Sequence, residues 1–256
     1  MSAVKTGDTI VVWFSCGAAS AVAAHETIKR YGGACNVRIV NSLVLEEGWD
    51  NRRFLHDVEQ WLGRKIEIAT RSKYPNCSAA DVWEKRKGMS FPHGAPCTVE
   101  LKKEARYEFE RNNHIDWHVL GFHAGEKRRH DLFTMTERSN VLPVLIDAGL
   151  DKSACASIIK RAGLELPLAY ALGLPNANCL GCVKATSPTY WNKIREVAPA
   201  VFHARAEQSR RLGSKLARVN NSRIYLDELS PEAMGRPLDQ LKMPECGLFC
   251  EEGGAA

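Results

Sequence analysis

Nine cysteines stand in this 256-residue chain, and their spacing carries the first chemical content. Cys179 and Cys182 form a C-x-x-C in "NCLGC". The turn between such residues points both sulfurs the same way, so two thiolates can grip one metal ion or one cluster. The same spacing also serves as a dithiol redox pair. Cys97 stands in "HGAPCTVELKK", just ahead of a helical pattern, and Cys246 and Cys250 stand in "PECGLFCEEGG". Cys35 and Cys155, each isolated in an apolar setting, read as ordinary buried thiols. A second chemical segment is "SCGAAS", Ser15 to Ser20, directly after "VVWF". Small residues let backbone N–H groups approach an anion, and a following helix adds its positive N-terminal end. The segment is neither a G-x-G-x-x-G turn nor a Walker A loop. A tight turn that only lets the helix pack on a sheet is the competing reading. Lys102 and Lys103 fall within a turn of Cys97, where one could face a phosphate or both could lie on a solvated face.

The elements that must position these residues follow from hydrophobic periodicity. Ile10 to Phe14 predicts a buried strand, Ser20 to Tyr31 a helix ended by Gly32-Gly33, and Val37 to Leu45 a second strand. Asn51 to Leu62 is an amphipathic helix, and Lys65 to Ala69 a third strand. Two helices, Ser78 to Lys87 and Thr98 to Asn112, precede strands at Trp117 to Gly121 and Val141 to Ile146. Ser78 and Thr98 are the expected N-caps. Strands alternating with helices predict an α/β fold: a Rossmann-like, doubly wound, mostly parallel five-stranded sheet. From Asp151 the pattern is largely helical, with helices over Asp151 to Ala162 and from Ser187-Pro188. Basic residues between Arg205 and Arg218 read as a solvated face. The expected organisation is a nucleotide-type domain over 1–150 and a helical portion over 151–256. Ligands in such folds sit at the carboxyl ends of the strands, which is where Ser15 to Ser20 falls.

Apolar residues make up 45% of the chain and charged residues 25%, enough to bury a core. No run of about eighteen apolar residues occurs, so no membrane span is expected. The polar start lacks a signal-peptide pattern, which predicts a cytoplasmic protein with reduced thiols. The net charge of +5 suits an anionic small molecule as well as nucleic acid. His25, His56 and His114 read as surface or core histidines, and Trp61, Trp83 and Trp191 as packing residues.

Taken in order, "FSCGAAS", "PCTVELKK", "VLGFHAGEKRR", "LPVLIDAGLD", "GLPNANCLGC" and "ECGLFCEEG" make the chain resemble the phosphoadenosine phosphosulfate (PAPS) reductase family. That family belongs to the adenine-nucleotide alpha-hydrolase-like, PP-loop superfamily. The resemblance covers Ile10 to Cys182 and the tail. It implies that Ser15, Cys16, Gly17, Ala18, Ala19 and Ser20 form the phosphate loop of an adenine-nucleotide site. Ser15, Gly17 and Ser20 match the family's S-G-G-K-D-S, while Cys16, Ala18 and Ala19 replace Gly, Lys and Asp. It implies that Glu126 belongs to the same site, with Arg128 and Arg129 supplying positive charge where His123 and His130 replace arginines. Lys102 joins this anion-binding set. In the iron–sulfur branch a tandem Cys-Cys and a C-x-x-C hold a [4Fe-4S] cluster. Cys97, Cys179 and Cys182 match three of those positions, and Pro96 takes the place of the other tandem cysteine. Cys250 is the choice for a fourth ligand, with Cys246, Cys77 or an open iron as alternatives. Cys246 matches the family's catalytic cysteine, whose thiolate attacks the sulfonyl sulfur of the substrate. A thioredoxin-type reductant is then implied.

Three functions are compatible with this pattern. The first is a PAPS reductase-like oxidoreductase that reduces an adenine sulfonucleotide through Cys246. The second is an ATP-dependent, cluster-dependent sulfur transferase that thiolates nucleic acid, favoured by the altered loop and the missing tandem cysteine. The third is a non-catalytic, zinc-bearing module on a degenerate nucleotide fold. The "ECGL" segment ranks the first highest.

Overall fold

Thr9–Phe14 forms the central strand because its apolar run is buried on both faces, as a parallel strand covered by helices requires. The computed structural model describes residues 3–92, 94–174 and 176–241. Along the chain come β1 (Thr9–Phe14), α1 (Ala18–Tyr31), β2 (Asn36–Ser42), α2 (Gly48–Leu62), β3 (Ile66–Ala69) and α3 (Ala79–Arg86). Next are α4 (Pro96–Thr98), α5 (Glu104–Arg111), β4 (Trp117–Val119), α6 (Lys127–Thr136), β5 (Val141–Leu142) and α7 (Val144–Asp147). The remainder holds α8 (Lys152–Arg161), α9 (Leu168–Ala171), α10 (Pro188–Val197), α11 (Pro199–Arg211), β6 (Ala217–Val219) and β7 (Ser222–Ile224).

Strands β1 to β5 make one all-parallel sheet in the order β3-β2-β1-β4-β5. This is the expected Rossmann-like α/β fold. The order reverses at β1, which lies between β2 and β4, and in open α/β sheets the carboxyl end at such a reversal is the usual place for a ligand.

The chain divides into two compact units built from interleaved segments. One unit comprises 1–43, 49–70 and 106–167 and contains the sheet. Its core gathers Ile10, Val12 and Phe14 of β1 with Val22 of α1, Phe54 of α2 and Ile159 of α8. On the opposite face of β1, Trp13 meets the edge of Phe109 from α5 at 5.7 Å. The other unit comprises 44–48, 71–105 and 168–256. Its core is built on Trp83, Tyr190, Trp191, Ile194, Phe202 and Leu226. In that unit α3 starts at Ser78, whose Oγ accepts the Asp81 N–H at 3.2 Å. The Glu46 carboxylate accepts the Ala79 and Ala80 N–H groups at 2.7 and 2.9 Å, placing a negative charge at the positive end of α3.

Several local expectations are corrected. Helix α1 begins at Ala18, two residues before Ser20. The fifth strand stops at Leu142, because Pro143 has no N–H for the ladder, and Val144–Asp147 turns into helix α7. Thr98 is not an N-cap: Pro96, with its φ already helical, takes the first helical position after Ala95. A π-turn over Val99–Lys103 follows, and it turns Glu100, Leu101 and Lys102 inward in succession. Arg205 is not on a solvated face but buried, its guanidinium 4.5 Å from the centre of the Trp83 ring. The helical portion also carries a β6–β7 hairpin, turned by Asn220 and Asn221 at φ +47° and +63°. No helix among the described residues is long and apolar enough to cross a membrane.

Candidate functional site

The Ser15–Ser20 loop joins the carboxyl end of β1 to α1 and is braced by its own serines. The Ser20 hydroxyl accepts from the Ser15 N–H at 3.1 Å and from the Ser15 hydroxyl at 3.2 Å, and it donates to the Gly17 carbonyl at 2.9 Å. Both hydroxyl protons are thus directed within the loop. Gly17 is the N-cap of α1 in an extended conformation, and no side chain caps the helix. The donors that the loop can offer an anion are therefore main-chain N–H groups of the first turn. No acidic residue stands in that turn to offset the helix dipole.

Cys16 adopts φ +57°, the left-handed region that a residue with a Cβ rarely enters. Its side chain is turned inward and is 2% exposed. Asn41 at the end of β2 secures it, donating from Nδ2 to the Phe14 carbonyl at 2.8 Å and to Cys16 Sγ at 3.5 Å. Gly121, just past β4, approaches from the other neighbouring strand. A Cβ there would lie 3.0 Å from the Ser20 nitrogen, so any larger residue would have to push the first turn of α1 back by a few tenths of an ångström.

Beyond Gly121, His123 begins a short 3₁₀ turn with reciprocal capping. Its Nδ1 accepts the Gly125 N–H at 3.2 Å, and the Glu126 carboxylate accepts the His123 N–H at 3.2 Å. Glu126 also receives Arg129 Nη1 at 2.6 Å. Arg129 is thereby held on Glu126 and over the Phe122 ring, whereas Arg128 is exposed. His130 is buried, with Nδ1 against Asp131.

The C-x-x-C lies in the second unit, on a turn held by α10 and α11. Gly181 has φ +68°, and a Cβ there would lie 2.8 Å from Val201 Cγ1. The Tyr190 hydroxyl accepts the Cys182 N–H at 2.8 Å and donates to the Cys179 carbonyl at 3.4 Å. Burial pushes the Tyr190 phenol well up, and the Cys182 and Cys179 thiols beside it push the same way. Trp191 Nε1 donates to the Ala185 carbonyl at 2.9 Å, fixing the chain after the turn. Cys97, Cys179 and Cys182 all pack on this unit's one core, Cys182 within it and the other two at its margin. Cys77 is buried there at φ +51°, and desolvation raises its thiol, which makes it a poor source of thiolate.

Soft thiols on a half-buried turn fit an iron–sulfur cluster or zinc in donor type. Among the described residues no three His, Cys, Asp or Glu side chains are gathered as a metal site. Cys246 and Cys250 lie outside the described residues. Lys102 is 3% exposed and ion-paired with buried Glu47, so its solvated-face reading does not hold. Cys155 is fully buried, with its thiol pushed up to about 11 by burial, as an inert core cysteine should be.

Three positioning residues escaped the sequence reading. Asn41 interrupts an apolar strand, which is a visible signal. Tyr190 and Gly181 gave none beyond their proximity to Cys182. No protein-family model and no curated protein matches the chain.

Proposed function

We propose that the chain is a PAPS reductase-like enzyme that binds an adenine sulfonucleotide through Ser15–Ser20 and reduces it with the Cys246 thiolate. The observation that carries this reading is the braced β1–loop–α1 turn at the carboxyl end of the strand where sheet order reverses. A loop of small residues with uncapped helix N–H groups suits a phosphate or sulfate end. The ordered cysteine motifs supply the rest.

In this reaction the Cys246 sulfur forms a bond to the sulfonyl sulfur. The bond from that sulfur to the phosphate oxygen breaks, and the nucleotide leaves with the electron pair. A thioredoxin-type dithiol then attacks Cys246 Sγ, and sulfite departs with the pair from the S–S bond. The second thiol of the reductant closes its own disulfide and returns Cys246 as a thiolate. Cys97, Cys179, Cys182 and Cys250 are assigned to a [4Fe-4S] cluster, which when bound supplies electron exchange and polarises sulfur or oxygen near it.

Anaerobic protein mixed with adenylyl sulfate or its 3′-phosphate, without reductant, should carry a sulfonate on Cys246 by mass spectrometry. Cys246→Ser should keep its iron and lose turnover. An unmodified Cys246, with sulfur transfer to nucleic acid that depends on ATP, would replace this reading with the sulfur transferase. Stoichiometric zinc without iron or turnover would replace it with the non-catalytic module.

A further inference from the structure

The peptide groups around a C-x-x-C decide how far apart its thiols stand, and here they converge on one buried oxygen. Tyr190 is the third residue of α10 and 1% exposed. Its hydroxyl takes the Cys182 N–H at 2.8 Å and returns its own proton to the Cys179 carbonyl at 3.4 Å. Both thiols of the pair lie within its electrostatic reach. One phenol therefore hydrogen-bonds the backbone of both cysteines of the pair. The ring cannot drift, because Trp191 meets it edge-on at 5.4 Å and Trp191 is itself fully buried. From the other side, Gly181 lies so close to Val201 of α11 that not even a methyl group fits.

We propose that Tyr190 is the positioning residue of the Cys179–Cys182 pair, its hydroxyl closing the turn so that both thiols are presented together to one thiophilic partner. This assignment rests on the reading of the pair as a joint ligand. Removing the hydroxyl leaves the buried Cys182 N–H without its acceptor and the Cys179 carbonyl without its donor, and the turn relaxes to satisfy them elsewhere. Each thiol then remains available singly, but their fixed separation is lost. Residues that orient ligands in this way typically change metal affinity by about 10–100-fold.

The test compares the full-length chain with Tyr190→Phe, which keeps the packed ring. Metal-free protein is titrated with phenylarsine oxide, a trivalent arsenical that needs two thiols at fixed spacing, and the adduct is mapped to Cys179–Cys182 by mass spectrometry. Single-thiol reactivity is followed with iodoacetamide. The variant should bind the arsenical at that pair at least about tenfold more weakly, on the same scale as other such orienting groups. It should alkylate at Cys179 and Cys182 no more slowly than the parent. Equal arsenical affinity in the two proteins would overturn the assignment whatever the iron content. In anaerobically prepared protein, loss of iron to a chelator should accelerate in parallel. A parent that binds the arsenical but no iron would sink the cluster reading and leave Tyr190 standing. Hydrogen exchange on the parent supplies a check that needs no variant: a rapidly exchanging Cys182 amide would also overturn the assignment.

Discussion

His118 offers the sharpest quantitative prediction. It lies on β4, 2% exposed, and each ring nitrogen faces a donor. Trp13 Nε1 is 3.1 Å from Nδ1, and Arg138 Nη1 is 2.8 Å from Nε2. Glu110 of α5 is the nearest carboxylate, 4.0 Å from Nδ1, but it is already engaged by Arg138 at 2.7 Å. Arg106 of α5, wholly buried, adds a further positive charge. A doubly protonated ring would point two N–H groups at two donors, so the charged form has no place here. Burial first, then Arg138 and Arg106, lower the His118 pKa from 6.5 to about 3. Between those values the unfolded chain holds a proton that the folded chain refuses, so stability falls as pH falls through the window. From pH 6.5 to pH 5 the loss is about 1.5 units at 1.36 kcal/mol each, or roughly 2 kcal/mol. Carboxylates held low by their partners, such as Asp8, Glu67, Glu84 and Asp227, act only below their unfolded values of 3.8 or 4.5 and leave this interval clear. Urea unfolding at pH 7, 6 and 5 reads the slope. His118→Gln, whose amide oxygen can accept from Arg138 and does not titrate, should start less stable and lose about 2 kcal/mol less over the interval. Identical slopes in the two proteins would refute the reasoning.

Two further outcomes concern backbone positions. Gly17→Val should abolish adenine-nucleotide binding by calorimetry without lowering the melting temperature, because the extended Gly17 backbone accepts valine while its side chain fills the anion's space; undiminished binding would remove Ser15–Ser20 from the site. Gly181→Ala should destabilise the chain by about 1–3 kcal/mol through its left-handed φ and the clash with Val201, read as a lower urea midpoint. An unchanged midpoint would show that the C-x-x-C turn yields.

The sheet was legible because each strand is a short apolar run bounded by turn residues, and a central strand buried on both faces needs no alternation. The helix that follows β1 was legible too, but its start was not, since alanines fit a turn and a first helical turn equally well. Pro143 carried the information that ends β5, yet the apolar residues after it mimic a strand until the missing N–H is counted. The π-turn beside Cys97 was illegible: nothing in "VELKK" distinguishes it from ordinary helix, and the inward Lys102 depends on Glu47, distant in sequence. The cysteines announced themselves by spacing. Tyr190 did not, because its role comes from one hydroxyl placed by a helix that packs back onto the turn.

The loop at Ser15–Ser20 began with two competing accounts, a simple turn or an anion cradle, and its conformation weighs between them. A connection that only has to pass from strand to helix would put glycine at the left-handed position, where it costs nothing. Here that position is Cys16, strained by about 1–2 kcal/mol relative to glycine. It is held by Asn41 from β2, while Ser20 secures Ser15 and Gly17, and Gly121 after β4 presses on the first turn of α1. Strain that neighbouring elements over-determine in this way is found where conformation serves a ligand. On the proposed reading, the inward cysteine also suits an anion loop that has no lysine. With Cys16 folded into the core and no side-chain cap on α1, an anion bound at this loop as proposed would meet first-turn N–H groups, and its attraction would come from peptide dipoles in place of a side-chain charge. Cys16 is then a small core residue that shapes the loop, and the proposed reaction is left to Cys246.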